Sequence, residues 1–145
     1  MEQKFKDTLQ AIIHGTKAYK LEWTYLSDKH YDLVEQFYTQ QIETEDGMMY
    51  MTFDSAFDAR FNELFLSIVC TDITDEDETN VGEYYELRVF KLEEKDGLEF
   101  ETPILIYQST DAVYLEDLKN LYTYAAANAS GVDRIMDQLI AELGE

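Results

Sequence analysis

The sequence is poor in the residues that cross-link, interrupt or neutralise a chain. It has one cysteine, one proline and six glycines in 145 residues, and its 11 Lys and Arg stand against 31 Asp and Glu. A single cysteine, Cys70, excludes an internal disulfide and any zinc site built from several cysteines. The single proline and the six glycines are scattered along the chain and form no linker or low-complexity tract. We therefore expect a single domain over residues 1–145, in a reducing compartment.

Long apolar runs and the common catalytic motifs are also missing. No stretch approaches the ~20 apolar residues of a membrane span, and the amino terminus lacks the apolar segment of a secretory signal. Glycine-rich phosphate-binding motifs and the GxSxG nucleophile motif do not occur. His14 and His30 have no metal-ligand spacing, and Cys70 has no neighbouring His or Lys in the sequence to lower its pKa. These absences predict a cytoplasmic protein that is not an enzyme and uses no metal or other cofactor.

The sequence does have a large apolar fraction and a strong negative charge. Hydrophobic residues make up 46% of the chain and aromatic residues 14%, which is enough for a folded core. The net charge of −20 repels nucleic acid and anionic membranes, so neither is expected as a direct partner. The same charge attracts a basic protein, which is the partner that the composition favours.

Hydrophobic spacing in the amino-terminal part predicts two helices separated by a strand. Residues Glu2–His14 place apolar side chains on one helical stripe, and Gly15 is a natural stop. Residues Lys17–Leu26 alternate as a half-buried strand does. A short helix is predicted over Asp28–Gln40, and residues Asp54–Phe61 are expected to form a helical turn or a wide loop.

The middle of the chain has the pattern of an antiparallel sheet. The pair Asp46–Gly47 predicts a tight hairpin turn, and Pro103 predicts an edge position or a bulge in the last strand. The last third returns to helical spacing in two segments that Ser130–Gly131 separates. The predicted fold is therefore α+β: a twisted antiparallel sheet of about five or six strands with amino- and carboxy-terminal helices packed on one face. Two predicted strands flank the hairpin turn, Gln41–Glu45 and Met48–Asp54. Three more follow it, Glu63–Asp72, Glu83–Leu92 and Leu98–Gln108.

The segment Thr71–Glu83, TDITDEDETNVGE, has six carboxylates and no base. A calcium loop beginning at Asp75 requires glycine at its sixth position, where Asn80 stands. The segment is therefore interpreted as an acidic connection between two strands whose carboxylates act together. The residues predicted to bind a partner are Asp72, Asp75, Glu76, Asp77, Glu78, Glu83, Tyr84, Glu86, Glu93 and Glu94.

Three functions follow from this charge, beside the simple one of keeping the protein soluble. The leading hypothesis is a small acidic protein that inhibits or modulates a basic partner, and its sharpest version is a DNA-mimicking inhibitor of a nucleic-acid-processing enzyme. The first alternative is a structural or assembly subunit without catalytic activity. The second alternative is a carboxylate-based, metal-dependent hydrolase. Strand order and oligomeric state are not predicted.

Overall fold

The computed structural model describes residues 2–25, 39–45 and 47–144, which form one antiparallel sheet and three helices. The α+β class predicted from the sequence is confirmed. In chain order the elements are α1 (Glu2–Lys17), β1 (Trp23–Tyr25), β2 (Thr39–Thr44), β3 (Gly47–Phe61), β4 (Leu64–Thr74), β5 (Asn80–Lys95), β6 (Leu98–Gln108), α2 (Ala112–Ser130) and α3 (Val132–Leu143).

The six strands are all paired antiparallel. Five follow the order β1-β3-β4-β5-β6, and β2 also pairs with β3. Strand β3 is long enough to hold two short partners along one edge, β2 next to its first half and β1 next to its second half. Strands β3, β4, β5 and β6 follow one another through short turns, so this part of the sheet is a meander. Each turn therefore lies at one of the two ends of the sheet.

Strand β4 lies in the middle of the sheet, as its apolar sequence predicts. Residues Phe65–Thr71 are buried without interruption, because β4 is paired along both edges and has buried side chains on both faces. Strand β6 is at the edge, and its register passes from Leu105 to Pro103 with Ile104 unpaired between them. Pro103 thus lies at a bulge on an edge strand, where its missing N–H costs no hydrogen bond in the sheet.

Helices α1 and α2 pack on one face of the sheet, which we call the helix face. The core between them is apolar and aromatic, and it contains Leu9, Ile13, Ile68, Leu87, Tyr107, Leu118 and Leu121. The opposite face, here the second face, has a smaller apolar cluster and several buried polar side chains. Its buried residues include Met51, Ala56, Asp58, Ser67, Val69, Thr71, Tyr84 and Glu86.

Helix α1 does not end at Gly15. The strand predicted over Lys17–Leu26 is confirmed at Trp23–Tyr25 and wrong over residues 17–22, and Leu26 lies outside the described residues. The chain leaves the helix at Tyr19, which has a φ of 57°. The backbone N–H groups of residues 20 and 21 then donate to the Gly15 carbonyl. Gly15 lies within the helix, which continues to Lys17, and a Cβ at position 15 would be at an ordinary van der Waals distance of 3.6 Å from the Leu21 side chain.

Two further predictions concern the helix over Asp28–Gln40 and the turn or loop over Asp54–Phe61. Most of the helix predicted over Asp28–Gln40 falls on residues 26–38, which lie outside the described residues, but Thr39 and Gln40 belong to strand β2. The loop predicted over Asp54–Phe61 is wrong, because these residues continue β3. A bulge at Asp54 shifts the alternation of inward and outward side chains by one residue, and this shift hides the strand in the sequence.

The carboxy-terminal part contains the two predicted helices. The Asp111 side chain caps α2 by accepting a hydrogen bond from the Val113 N–H at 3.1 Å. Gly131 separates the helices with a φ of 68°, a left-handed conformation that suits glycine. Helix α2 buries four of its side chains, whereas every described side chain of α3 is exposed. No helix within the described ranges is long and apolar enough to cross a lipid bilayer.

Candidate functional site

The acidic turn between β4 and β5 is a short, hydrogen-bonded connection. The Asp75 Oδ1 atom accepts hydrogen bonds from the N–H groups of Asp77 at 2.9 Å and Thr79 at 3.0 Å. The Asp75 N–H in turn donates to the Thr79 carbonyl, and Glu78 takes a φ of 61°. Because Asp75 fixes the turn from within, the side chains of Glu76, Asp77 and Glu78 are left exposed to solvent.

A second acidic turn lies beside this one at the same end of the sheet. The Glu76 Oε1 atom accepts a hydrogen bond of 3.3 Å from the Met48 N–H, at the start of β3. This contact holds the β4–β5 turn against the β2–β3 turn, where Glu43 and Glu45 are exposed. The fold therefore brings together acidic residues that are about 30 positions apart in the sequence.

We define the hairpin end as the described part of residues 39–54 and 71–85. It carries nine carboxylates, and no Lys or Arg occurs in either segment. These two segments therefore contain no basic side chain that could offset the negative charge. The nine residues are Glu43, Glu45, Asp54, Asp72, Asp75, Glu76, Asp77, Glu78 and Glu83.

A group of side chains on the helix face marks the border between the hairpin end and the core. The bulge at Asp54 brings its carboxylate close to Cys70 and Asp72, so that one ligand atom from each of the three lies within 4.8 Å of the others. Glu83 stands opposite Asp72 on β5 and accepts a hydrogen bond from the Tyr85 hydroxyl. None of the three carboxylates forms an ion pair with any described residue.

Burial, together with the neighbouring negative charges, raises two pKa values in this group. Burial raises the pKa of the Cys70 thiol to about 12, and the carboxylates of Glu83, Asp54 and Asp72 add to the shift. Burial also raises the pKa of Asp72, with contributions from Asp54 and Glu83. The thiol is therefore protonated at neutral pH, so it is neither a nucleophile nor a good metal ligand. The carboxylate oxygens of Asp54 and Asp72 are the atoms here that suit a hard divalent cation.

Two of the residues predicted to bind a partner, Tyr84 and Glu86, are buried on the second face of the sheet. Tyr84 is 8% exposed and Glu86 is 2% exposed. The Tyr84 hydroxyl donates to Glu86 Oε1 at 2.6 Å, Gln108 Nε2 donates to the same oxygen at 3.1 Å, and Arg88 forms an ion pair with Oε2. These contacts stabilise the packing of β5 against its neighbours and leave little of either side chain for a partner to touch.

Two other predicted residues, Glu93 and Glu94, lie at the opposite end of β5, which we call the β5–β6 end. Ten residues of strand separate Glu93 from Glu83, a span of about 33 Å at ~3.3 Å per residue. Bases accompany the acids at this end, since Lys91 Nζ lies 3.6 Å from a carboxylate oxygen of Glu93 and Lys95 closes the strand. The structure thus divides the predicted acidic residues between two separate surfaces.

The remaining predicted residues come together at the hairpin end, with three that sequence reasoning missed. Asp72, Asp75, Glu76, Asp77, Glu78 and Glu83 are joined there by Glu43, Glu45 and Asp54. The predicted hairpin at Gly47 could have placed Glu43 and Glu45 near a turn, but nothing local says which other turn lies beside it. Asp54 could have been found from the break in alternation at Asp54–Ser55, which is typical of a bulge.

Comparison of the chain with protein-family models, with curated proteins and with solved structures gave no match in any of the three.

Proposed function

We propose that this chain is a small acidic binding protein whose hairpin end docks on a basic protein and inhibits or modulates it. The observation that carries the proposal is the contact between the Glu76 carboxylate and the Met48 N–H, which joins two acidic turns into one surface. That surface collects nine carboxylates without a Lys or Arg in the same segments. A partner rich in Lys and Arg would supply the positive charge that these two segments lack.

The spacing of these charges favours a partner that ordinarily binds nucleic acid. Duplex DNA has one charge per about 1.7 Å of axis, so a protein that imitates it needs many carboxylates on a rigid support. Charges within roughly 10 Å of each other act together at 0.1 M salt, because that is the Debye length. Glu76, Asp77 and Glu78 lie on one short turn and meet this condition. A nucleic-acid-processing enzyme is therefore the sharpest form of the proposal.

The acids at the β5–β6 end do not belong to the proposed surface. They lie about 33 Å from Glu83 along β5, and Lys91 and Lys95 neutralise part of their charge. Tyr84 and Glu86 are also outside it because both are buried. The proposed contact is thus narrower than the full set of acidic residues and depends on charge at one end of the sheet.

The proposal is tested by capturing proteins from an extract of the native cell on immobilised chain at low salt. A turn variant removes four charges while retaining an acceptor oxygen at position 75. We expect the wild type to retain a basic protein that added salt releases, and the turn variant to lose most of it, because electrostatic attraction dominates the encounter. The substitutions in the turn variant are Asp75→Asn, Glu76→Gln, Asp77→Asn and Glu78→Gln.

The matched control removes four charges from the β5–β6 end, so both variants have the same net charge. The control should retain the partner as the wild type does, because only the position of the removed charge differs. Equal loss of the partner from both variants would show attraction to net charge and contradict a specific surface. A wild-type column that retains no basic protein at low salt would contradict the proposed function. The control substitutions are Glu93→Gln, Glu94→Gln, Asp96→Asn and Glu99→Gln.

The metal-dependent hydrolase is less well supported by the geometry. Asp54 and Asp72 offer oxygen ligands near each other, but the nearby Cys70 thiol is protonated and no other feature of the described residues points to a cation. A calorimetric titration with Mg²⁺, Mn²⁺ and Ca²⁺ separates the two functions. Heat of binding that disappears in Asp72→Asn would favour the hydrolase, whereas the binding-protein proposal predicts no such site-specific heat.

A further inference from the structure

Helix α3 is attached to the rest of the protein through its polar side. The Arg134 guanidinium lies over the ring of Tyr19, 4.0 Å from its centroid, and its Nη2 atom is 3.5 Å from a carboxylate oxygen of Glu22. These contacts fix the side of α3 that faces the protein. They leave the other side of the helix turned away from it.

The side that faces away is apolar. Six large hydrophobic side chains follow one another at helical spacings of three and four residues, and each is between 46% and 76% exposed. At 3.6 residues per turn, the centre of this stripe lies about 170° around the helix from Arg134. A surface helix ordinarily turns its apolar stripe inward, so α3 has the reverse orientation. The α3 stripe consists of Val132, Ile135, Met136, Leu139, Ile140 and Leu143.

The size of the stripe matches one half of a small protein interface. Taking about 1.45 Å² of surface per dalton for an extended chain, the exposed fractions of the six residues amount to roughly 550 Å². Full burial of two such stripes would cover at most roughly 1,100 Å², which reaches the ~1,000 Å² expected of a specific interface. A helix of 12 residues is marginal by itself in water, so such a contact would also stabilise α3.

We propose that α3 is a dimerisation helix whose stripe packs against the same stripe of a second copy about a two-fold axis. A two-fold contact needs only one self-complementary patch, and a straight apolar stripe on an exposed helix provides it. A lipid surface fits less well, because the polar side of α3 has Asp137 and Glu142 and a single base, Arg134. A basic partner would find its complement at the hairpin end, not on this stripe.

This proposal does not depend on the function proposed for the hairpin end, and salt distinguishes the two. Each copy carries a charge of −20, so association through an apolar contact must overcome mutual repulsion. Added salt screens this repulsion and should strengthen the dimer. The same salt should weaken the binding of a basic partner.

Sedimentation equilibrium over a wide range of concentrations tests the proposal. The wild type should pass from one to two copies of the 17.0 kDa chain, with a dissociation constant that falls on addition of salt. The variant Ile140→Gln with Leu143→Gln should raise the constant by about tenfold or more, because two of the most exposed apolar side chains are removed from the contact. The control Ala141→Gln places the same residue on the opposite side of the helix and should leave the dimer unchanged.

The possible results of this experiment distinguish a two-fold dimer from other contacts of the stripe. Loss of the dimer in the stripe variant alone, with unchanged emission of the buried Trp23 as evidence of a folded core, supports the proposal. A wild type that is monomeric at every concentration overturns it, as does a dimer that survives in the stripe variant. Open-ended assembly would also overturn it, because it would mean that the stripe binds elsewhere on the next copy, for example in the apolar cleft of about 350 Å³ beside Ile12, Leu21 and Leu64.

Discussion

Neighbouring carboxylates on β5 have different environments because successive residues of a strand point to opposite faces. Glu83 is exposed and accepts a hydrogen bond from Tyr85 on the helix face, whereas Glu86 is buried on the second face. The burial of Glu86 is tolerated because three donors surround it, from Tyr84, Arg88 and Gln108. The same residue type therefore contributes to folding at one position and to surface charge at another.

Replacement of Glu86 should destabilise the fold. Glu86→Ala removes one member of the ion pair with Arg88 and the acceptor of the Tyr84 and Gln108 hydrogen bonds. Removing one member of a buried pair costs about 3 kcal/mol. The free energy of unfolding can be measured by urea titration with the single tryptophan, Trp23, which is 2% exposed and should shift its emission to the red on unfolding. Glu93→Ala, which breaks only an exposed pair with Lys91, is the control and should cost below about 0.5 kcal/mol. Equal losses would contradict the structural role of Glu86.

Asp72 should have the opposite effect on stability, because its charge is unfavourable where it lies. Its pKa is raised on folding above the ordinary value of 3.8, so the folded state binds the proton more tightly than the unfolded state does. The free energy of unfolding therefore decreases as the pH rises through the window between these two pKa values, and the whole penalty is present above that window. Asp72→Asn removes the penalty.

We therefore expect Asp72→Asn to stabilise the protein at neutral pH by less than about 1 kcal/mol, since the side chain is partly exposed. The gain should shrink as the pH is lowered toward the ordinary pKa of an aspartate. Urea titrations at several pH values measure it, with Glu94→Gln as a variant that removes one charge from the β5–β6 end. A loss of stability in Asp72→Asn at neutral pH would show that the carboxylate has a favourable partner and would refute the account.

At the scale of elements, Asn128 on α2 links three parts of the fold. Its Nδ2 atom donates to the carbonyls of Thr16 and Leu21, and its Oδ1 atom accepts from the Trp23 N–H at 2.9 Å. The Thr16 carbonyl also accepts from the Tyr19 N–H, so the contacts that depend on Asn128 are those of the Leu21 carbonyl and the Trp23 N–H, at the start of β1. The side chain of Asn128 therefore positions α1 and β1 against α2.

Asn128→Ala should lower the free energy of unfolding by about 2 kcal/mol, because it leaves partly buried backbone groups without hydrogen bonds. Asn120→Ala, at an exposed position of the same helix, should be neutral or slightly stabilising, since alanine has the higher helix propensity. Thermal or urea unfolding compares the two variants. A similar small effect at both positions would mean that Asn128 does not link these elements.

The elements that the sequence predicts well are those with strong local signals. Gly47 and Gly131 mark turns by their positive φ, and Pro103 marks the edge strand because it lacks an N–H. Gly15 is misleading, since the helix continues past it to Lys17 and the chain leaves the helix at Tyr19, where φ is 57°. Asp54 is misleading because a bulge reverses the alternation that identifies a strand. Local patterns thus predict the elements, and contacts between elements decide where they begin and end.

The candidate site was predictable in part for the same reason. The turn from Asp75 to Glu78 is acidic in sequence and exposed in the structure. The burial of Glu86 has no such local signal, because strand alternation places Glu86 on the face opposite the apolar side chains of Leu87 and Val89. The addition of Glu43 and Glu45 to the same surface depends on the packing of two hairpins and has no local signal.

At the scale of the whole molecule, the structure separates two kinds of surface. The segments of the hairpin end are acidic and contain no Lys or Arg, whereas the α3 stripe is apolar and lies on the side of α3 opposite Arg134. The hairpin end should bind more weakly at high salt because ions screen the attraction. Self-association through α3 should become stronger under the same conditions. The two proposals together therefore predict that added salt weakens partner binding at the hairpin end and strengthens self-association at the α3 stripe.

The most direct test of the hairpin-end proposal is the salt dependence of its affinity for the basic partner recovered by capture. The dissociation constant is measured by calorimetry over a series of salt concentrations for the wild type, the turn variant and the β5–β6-end control. We predict a steep loss of affinity with salt for the wild type and the control, and a clearly shallower dependence with weaker low-salt binding for the turn variant. Identical salt dependence in the turn variant and the control would contradict binding through the hairpin end.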